Sequence, residues 1–85
     1  MNFEERVRTV CGEIGDMLIE KNRAYGSSAL EPVRVFSKAD GVEQIKVCID
    51  DKLSRIARGR EFGDEDTVRD LVGYLVLLMI ARMDE

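Results

Sequence analysis

The unbroken apolar run from Tyr74 to Ala81 constrains this chain more than any other stretch. Successive side chains on a helix point about 100° apart, so a run of this length leaves no polar face for water. One neighbouring pair of helices covers roughly half of such a helix's circumference, and something further must cover the rest. A membrane is excluded by length, because the apolar stretch from Leu71 to Ala81 falls well short of the roughly 17 residues a span requires. Self-association is the natural solution, with a fourth helix formed by the segment between the first two helices as its competitor. The expectation is a homo-oligomer.

Chain length points the same way. At 85 residues the chain makes a single helical domain over 1–85, and a domain of that size buries only about 60% of the surface its unfolded form exposes. Disulfides, a metal or oligomerisation are the usual remedies. Two cysteines, Cys11 and Cys48, and no His support neither a disulfide framework nor a thiolate or imidazole metal site, so both cysteines read as small buried hydrophobes. The start Met1-Asn2-Phe3-Glu4-Glu5-Arg6 lacks the charged opening and apolar run of a signal peptide, which makes a cytoplasmic home the expectation. A net charge of −4 argues against a bulk nucleic-acid binder. Local clusters of Lys and Arg can still hold a small anion.

The fold expected is all-α: three main helices, an ordered loop between the first two, and packing as a helical-bundle oligomer. Phe3, Val7, Val10, Cys11, Ile14, Met17 and Leu18 recur at three-and-four spacing and predict helix one over about 3–23. Gly12 and Gly15 inside it each cost about 1 kcal/mol relative to Ala, which close backbone packing, a site or simple tolerance would explain. Residues 24–39 form the loop, with Glu31-Pro32 forcing extended or turn geometry and Leu30, Val33, Val35 and Phe36 anchoring it. Helix two runs over about 40–58, opened by Asp40 and Glu43 as an Asp-led capping box and closed by Arg58-Gly59-Arg60. Its stripe is Val42, Ile45, Ile49, Leu53 and Ile56, with Cys48 beside it. Helix three runs over about 65–83, its acidic start Asp64 to Asp66 suited to the positive end of the macrodipole.

Polar residues gather in three places. Lys21-Asn22-Arg23-Ala24-Tyr25-Gly26-Ser27-Ser28 collects cations, an amide, a phenol and hydroxyls at the end of helix one, which is what a phosphate together with a base or ribose requires. Capping and turn formation explain Gly26 and the serines equally well. Lys52 and Arg55 lie on helix two, and Tyr74 on helix three. Glu13, Asp16 and Glu20 share one side of helix one, while Asp66 and Asp70 share a face of helix three. Facing carboxylates of this kind hold hard cations in helical bundles, so Asp66 and Asp70, with Glu13 and Asp16 behind them, are the candidate Mg²⁺ ligands. Solvation or pairing with Lys or Arg is the alternative for each. Asp70 is the sharpest case, since a carboxylate among apolar neighbours needs a cation, a metal or donors.

Three segments together resemble a known family: Lys21-Asn22-Arg23-Ala24-Tyr25-Gly26, then Asp51-Lys52-Leu53-Ser54-Arg55, then Glu65-Asp66-Thr67-Val68-Arg69-Asp70-Leu71-Val72-Gly73-Tyr74. In order and spacing they are similar to the family called nucleotide modification associated domain 1, with Ala24 where that pattern often has Asp. The resemblance implies a short helical domain of phage or prophage type, linked to nucleotide metabolism or DNA-base modification. More distantly the arrangement resembles the all-α nucleotide pyrophosphohydrolases of the MazG type, oligomeric bundles that bind Mg²⁺ through acidic pairs. The nearest counterparts here are Glu13-x-x-Asp16 and Asp66-x-x-x-Asp70, the second one residue longer than in those enzymes.

Three functions remain open on these residues. One is a nucleotide-binding protein that acts as a Mg²⁺-dependent pyrophosphohydrolase, with Lys21, Asn22, Arg23, Tyr25, Ser28, Lys52, Arg55 and Tyr74 meeting the ligand. The absence of His removes the commonest general base, so in that reading the metal would activate water. A second is a non-catalytic binder that sequesters a nucleotide or nucleotide-derived signal, needing the same cations and no metal. The third is a structural or protein-interaction module.

Overall fold

The computed structural model describes residues 1–25, 40–59 and 66–83. Among these it holds three helices and no strand: α1 (Phe3–Tyr25), α2 (Gly41–Ala57) and α3 (Thr67–Met83). The chain is all-α over the described residues, and none of its helices is long and apolar enough to cross a membrane. The loop expected over 24–39 falls, beyond Tyr25, outside the described residues, as does Ser28.

Each helix starts on a side chain that takes up a free N–H. Asn2 Oδ1 accepts from the Glu5 N–H at 2.8 Å, Asp40 Oδ1 from Glu43 at 2.8 Å, and Asp66 Oδ1 from Arg69 at 3.0 Å. These are N-caps, each supporting its helix by about 1 kcal/mol. The capping box expected at α2 is only half made, because the Glu43 carboxylate turns to Lys46 Nζ at 3.3 Å instead of reaching back. At the other end of α2, Gly59 takes φ +65°, and its N–H closes on the Ile56 carbonyl at 3.1 Å. Only glycine adopts that conformation without strain, which is why the helix stops there.

Packing is uneven. α3 lies chiefly against α2 and touches α1 over a much shorter stretch, while α1 and α2 do not pack on each other. Two pairings fix the α2–α3 register: Lys52 meets Asp70, and Cys48 meets Tyr74. As α3 advances by one turn α2 retreats by one, so the two run antiparallel. α1 instead crosses α3. Glu13 reaches Arg69, Met17 and Leu18 lie over Gly73, and Lys21 reaches Asp70, so two turns of α1 meet a single turn of α3.

The apolar residues buried among those described are only Ile14 and Ile45, 7% and 3% exposed. The two buried residues of α3, Thr67 and Gly73, both lie in its first half. Its second half leaves Leu75, Met79, Ile80 and Met83 exposed, and the start of α1 leaves Phe3, Val7 and Val10 exposed. The apolar stripe predicted for helix one is therefore one continuous face of which α3 covers only the later part.

Among the described residues Gly12 and Gly15 do not owe their presence to close packing: a Cβ at either would meet nothing of them within 4 Å. The glycine that packing does require is Gly73. A Cβ there would stand 3.3 Å from both Leu18 Cδ2 and Met17 Cε, so its missing side chain is what lets α1 come down onto α3.

Candidate functional site

The crossing of α1 over the α2–α3 pair places the candidate site. Lys52 and Cys48 are one turn apart on α2, Asp70 and Tyr74 one turn apart on α3, and the antiparallel register sets these pairs face to face. Lys52 Nζ lies 3.5 Å from Asp70 Oδ2, and Lys21 Nζ, from the last part of α1, lies 3.9 Å from Asp70 Oδ1. One carboxylate is thus met by two ammonium groups from two different helices. The Lys52 side chain is 12% exposed and that of Asp70 23%, whereas Lys21 stands 57% exposed at the mouth.

This arrangement answers how Asp70 is carried among apolar neighbours. Each oxygen of this partly buried carboxylate has an ammonium group beside it, so the charge is not left uncompensated. Tyr74 borders these charges: burial of the phenol, first, and then Cys48, by charge and by a hydrogen bond, push it above its ordinary value of 10.0, with Asp70 adding to the push and Lys52 opposing it. At neutral pH the phenol is protonated and can donate.

A second cluster lies one turn earlier on α3. Arg69 Nη2 donates to Glu13 Oε2 at 3.0 Å, and its Nε stands 3.6 Å from Asp66 Oδ2. Glu13 and Asp66 are thereby joined through a guanidinium, and Asp66 also caps α3. Asp16 is exposed on α1. Among the described residues, no group of three or more His, Cys, Asp or Glu is placed to hold a metal ion. The carboxylates singled out by sequence as metal ligands, Asp66, Asp70 and Glu13, each face a cation.

Of the residues expected to meet a ligand, the structure brings Lys21, Lys52 and Tyr74 together around Asp70. Arg55 follows Lys52 on α2 and pairs with Asp51 at 3.1 Å. Asn22 and Arg23 are exposed on the last turn of α1, and Tyr25 ends that helix. Ser28 lies outside the described residues. Sequence reasoning missed Cys48 and Arg69 as members of the polar clusters. The signal for Cys48 is its four-residue spacing from Lys52, matching that of Asp70 and Tyr74. For Arg69 there was no local signal, since Glu13 is far away in the chain.

No protein-family model, no curated protein and no solved structure matches this chain.

Proposed function

We propose that this protein binds a nucleotide through its phosphates at the crossing of α1 with α2 and α3, and that it holds the ligand without hydrolysing it. The observation that carries the reading is the convergence of Lys21 and Lys52, from separate helices, on the single carboxylate of Asp70. Asp70 brings the two ammonium groups to one place, Lys52 at 3.5 Å and Lys21 at 3.9 Å. An arriving phosphate meets cations already oriented, with Tyr74 beside them as a donor. Asn22 and Arg23, exposed on the last turn of α1, extend the polar surface beyond Lys21. The resemblance of the three motif segments to a nucleotide-linked family favours a nucleotide over other anions.

The same pairings count against the Mg²⁺-dependent hydrolase. A metal at Asp70 has to share, against like charge, a carboxylate already approached by Lys52 at 3.5 Å, and Asp66 and Glu13 are shared with Arg69. Sequestration of a nucleotide or nucleotide-derived signal by a homo-oligomer of phage or prophage type is the function consistent with that chemistry.

Calorimetric titration with a panel of mono- and dinucleotides, with and without Mg²⁺, tests the reading. Binding independent of Mg²⁺, intact ligand recovered afterwards, and a loss of affinity of roughly ten- to a hundredfold in Lys52→Met and in Lys21→Gln are expected. Mg²⁺-dependent release of pyrophosphate would replace the binder with the hydrolase. If no nucleotide binds at millimolar concentration, the nucleotide reading fails altogether.

A further inference from the structure

The apolar surface left open lies in two places on either side of the α1–α3 crossing, and the two match. On α1 it is the arm Phe3, Val7 and Val10, 82%, 44% and 51% exposed; on α3 it is Leu75, Met79, Ile80 and Met83, 43%, 68%, 37% and 80% exposed. The arm is about 11 Å long and the α3 stretch about 12 Å. The arm also continues the stripe whose later members, Ile14, Met17 and Leu18, pack at the crossing on α3. Within one chain the arm cannot reach the second half of α3, because α1 is pinned at residues 69–73 by Gly73, the Glu13–Arg69 pair and the Lys21–Asp70 pair.

We propose that a second copy of this chain supplies the cover: the α1 arm of each copy lies on the second half of α3 of the other, in a two-fold exchange. In such an isologous interface one pair of surfaces is used twice, the arm of each copy meeting the α3 of its partner. The seven exposed side chains, at roughly 100 Å² apiece, amount to roughly 700 Å² per chain. A standard stable interface takes about 800 Å² from each partner. Lys21 stays outside this contact, so the phosphate site remains open in the assembled form.

The inference rests on the oligomer reading above, and the test separates the two. Val7→Cys and Met79→Cys are made in separate chains with Cys11→Ser in both and Cys48 left in place, and a chain with Cys48 alone serves as control. Both positions are exposed in the single chain, so neither change removes a contact needed for folding. Wild-type protein is expected to sediment as a dimer or a multiple of it at micromolar concentration. On mild oxidation a covalent dimer is expected from the mixed chains and from neither chain alone. A monomeric wild-type protein overturns both the oligomer and the exchange of arms. An oligomer in which Val7→Cys chains link to one another, or in which the mixture yields no covalent dimer, keeps the oligomer and overturns the exchange.

Discussion

α2 and α1 hold α3 in different ways. α2 runs antiparallel along it, with Ile45 buried and the Cys48–Tyr74 and Lys52–Asp70 pairs in register one turn apart. α1 crosses it over one turn, through a glycine contact and two ion pairs whose basic partners are 38% and 57% exposed. Ion pairs that open to water contribute little, about 0–1 kcal/mol each, so the apolar packing of Ile14, Met17 and Leu18 around Gly73 does most of the holding. The lesson is that the candidate site straddles a firm contact and a loose one: Lys52, Asp70 and Tyr74 belong to the firm pair, and Lys21 arrives with the loose helix.

The difference can be broken first at Gly73. Gly73→Leu places a branched side chain where even a methyl would meet Leu18 and Met17 at 3.3 Å, which should destabilise the protein by about 1–3 kcal/mol. Hydrogen exchange should show the loss in α1 around Glu13 to Lys21 while α2 and α3 keep their protection. Equal loss in all three helices would mean that the crossing is as firm as the antiparallel pair.

Gly12 sharpens the picture from the unheld part of α1. With nothing among the described residues within 4 Å of its Cβ position, Gly12→Ala should stabilise the chain by about 0.5–1 kcal/mol through helix propensity alone. A rise of a few degrees in Tm is the expected readout. A fall would show that this side of the helix is packed tightly in the assembled protein.

The smallest effect concerns the firm pair and pH. The Tyr74 phenol is raised in the folded protein above its ordinary value of 10.0, so on raising the pH the unfolded chain loses that proton first. Its contribution to stability is then whole below about pH 10 and is lost as the pH climbs through the folded value. Tyr74→Phe should flatten the alkaline fall in stability measured by denaturant unfolding. Parallel curves for wild type and variant above pH 10 would separate Tyr74 from that fall.

Much of the architecture was legible in advance because it depends on local periodicity. Helix one reads as about 3–23 and is Phe3–Tyr25; helix two reads as about 40–58 and is Gly41–Ala57; helix three reads as about 65–83 and is Thr67–Met83. The Asp40 cap and the Gly59 stop are chemical signals within a few residues of the feature they set. The site was legible only in part. Lys21, Lys52, Asp70 and Tyr74 stood out by type, but which carboxylate meets which cation depends on contacts between helices. Asp66 and Asp70, read as one acidic pair, turn to different partners: Asp66 to Arg69 and the N-terminus of α3, Asp70 to the two lysines.

By itself the sequence determined the three helices, their caps and the apolar surplus of the third, because hydrogen bonding and side-chain period within a helix are decided over a few residues. Only the tertiary structure decided where that surplus lies. Gly73 lets α1 cross α3 at its first half, and that one close approach leaves the second half of α3 and the arm of α1 open. A contact between Met17, Leu18 and Gly73 joins positions more than fifty residues apart, and no local pattern specifies a meeting between surfaces so distant in the chain.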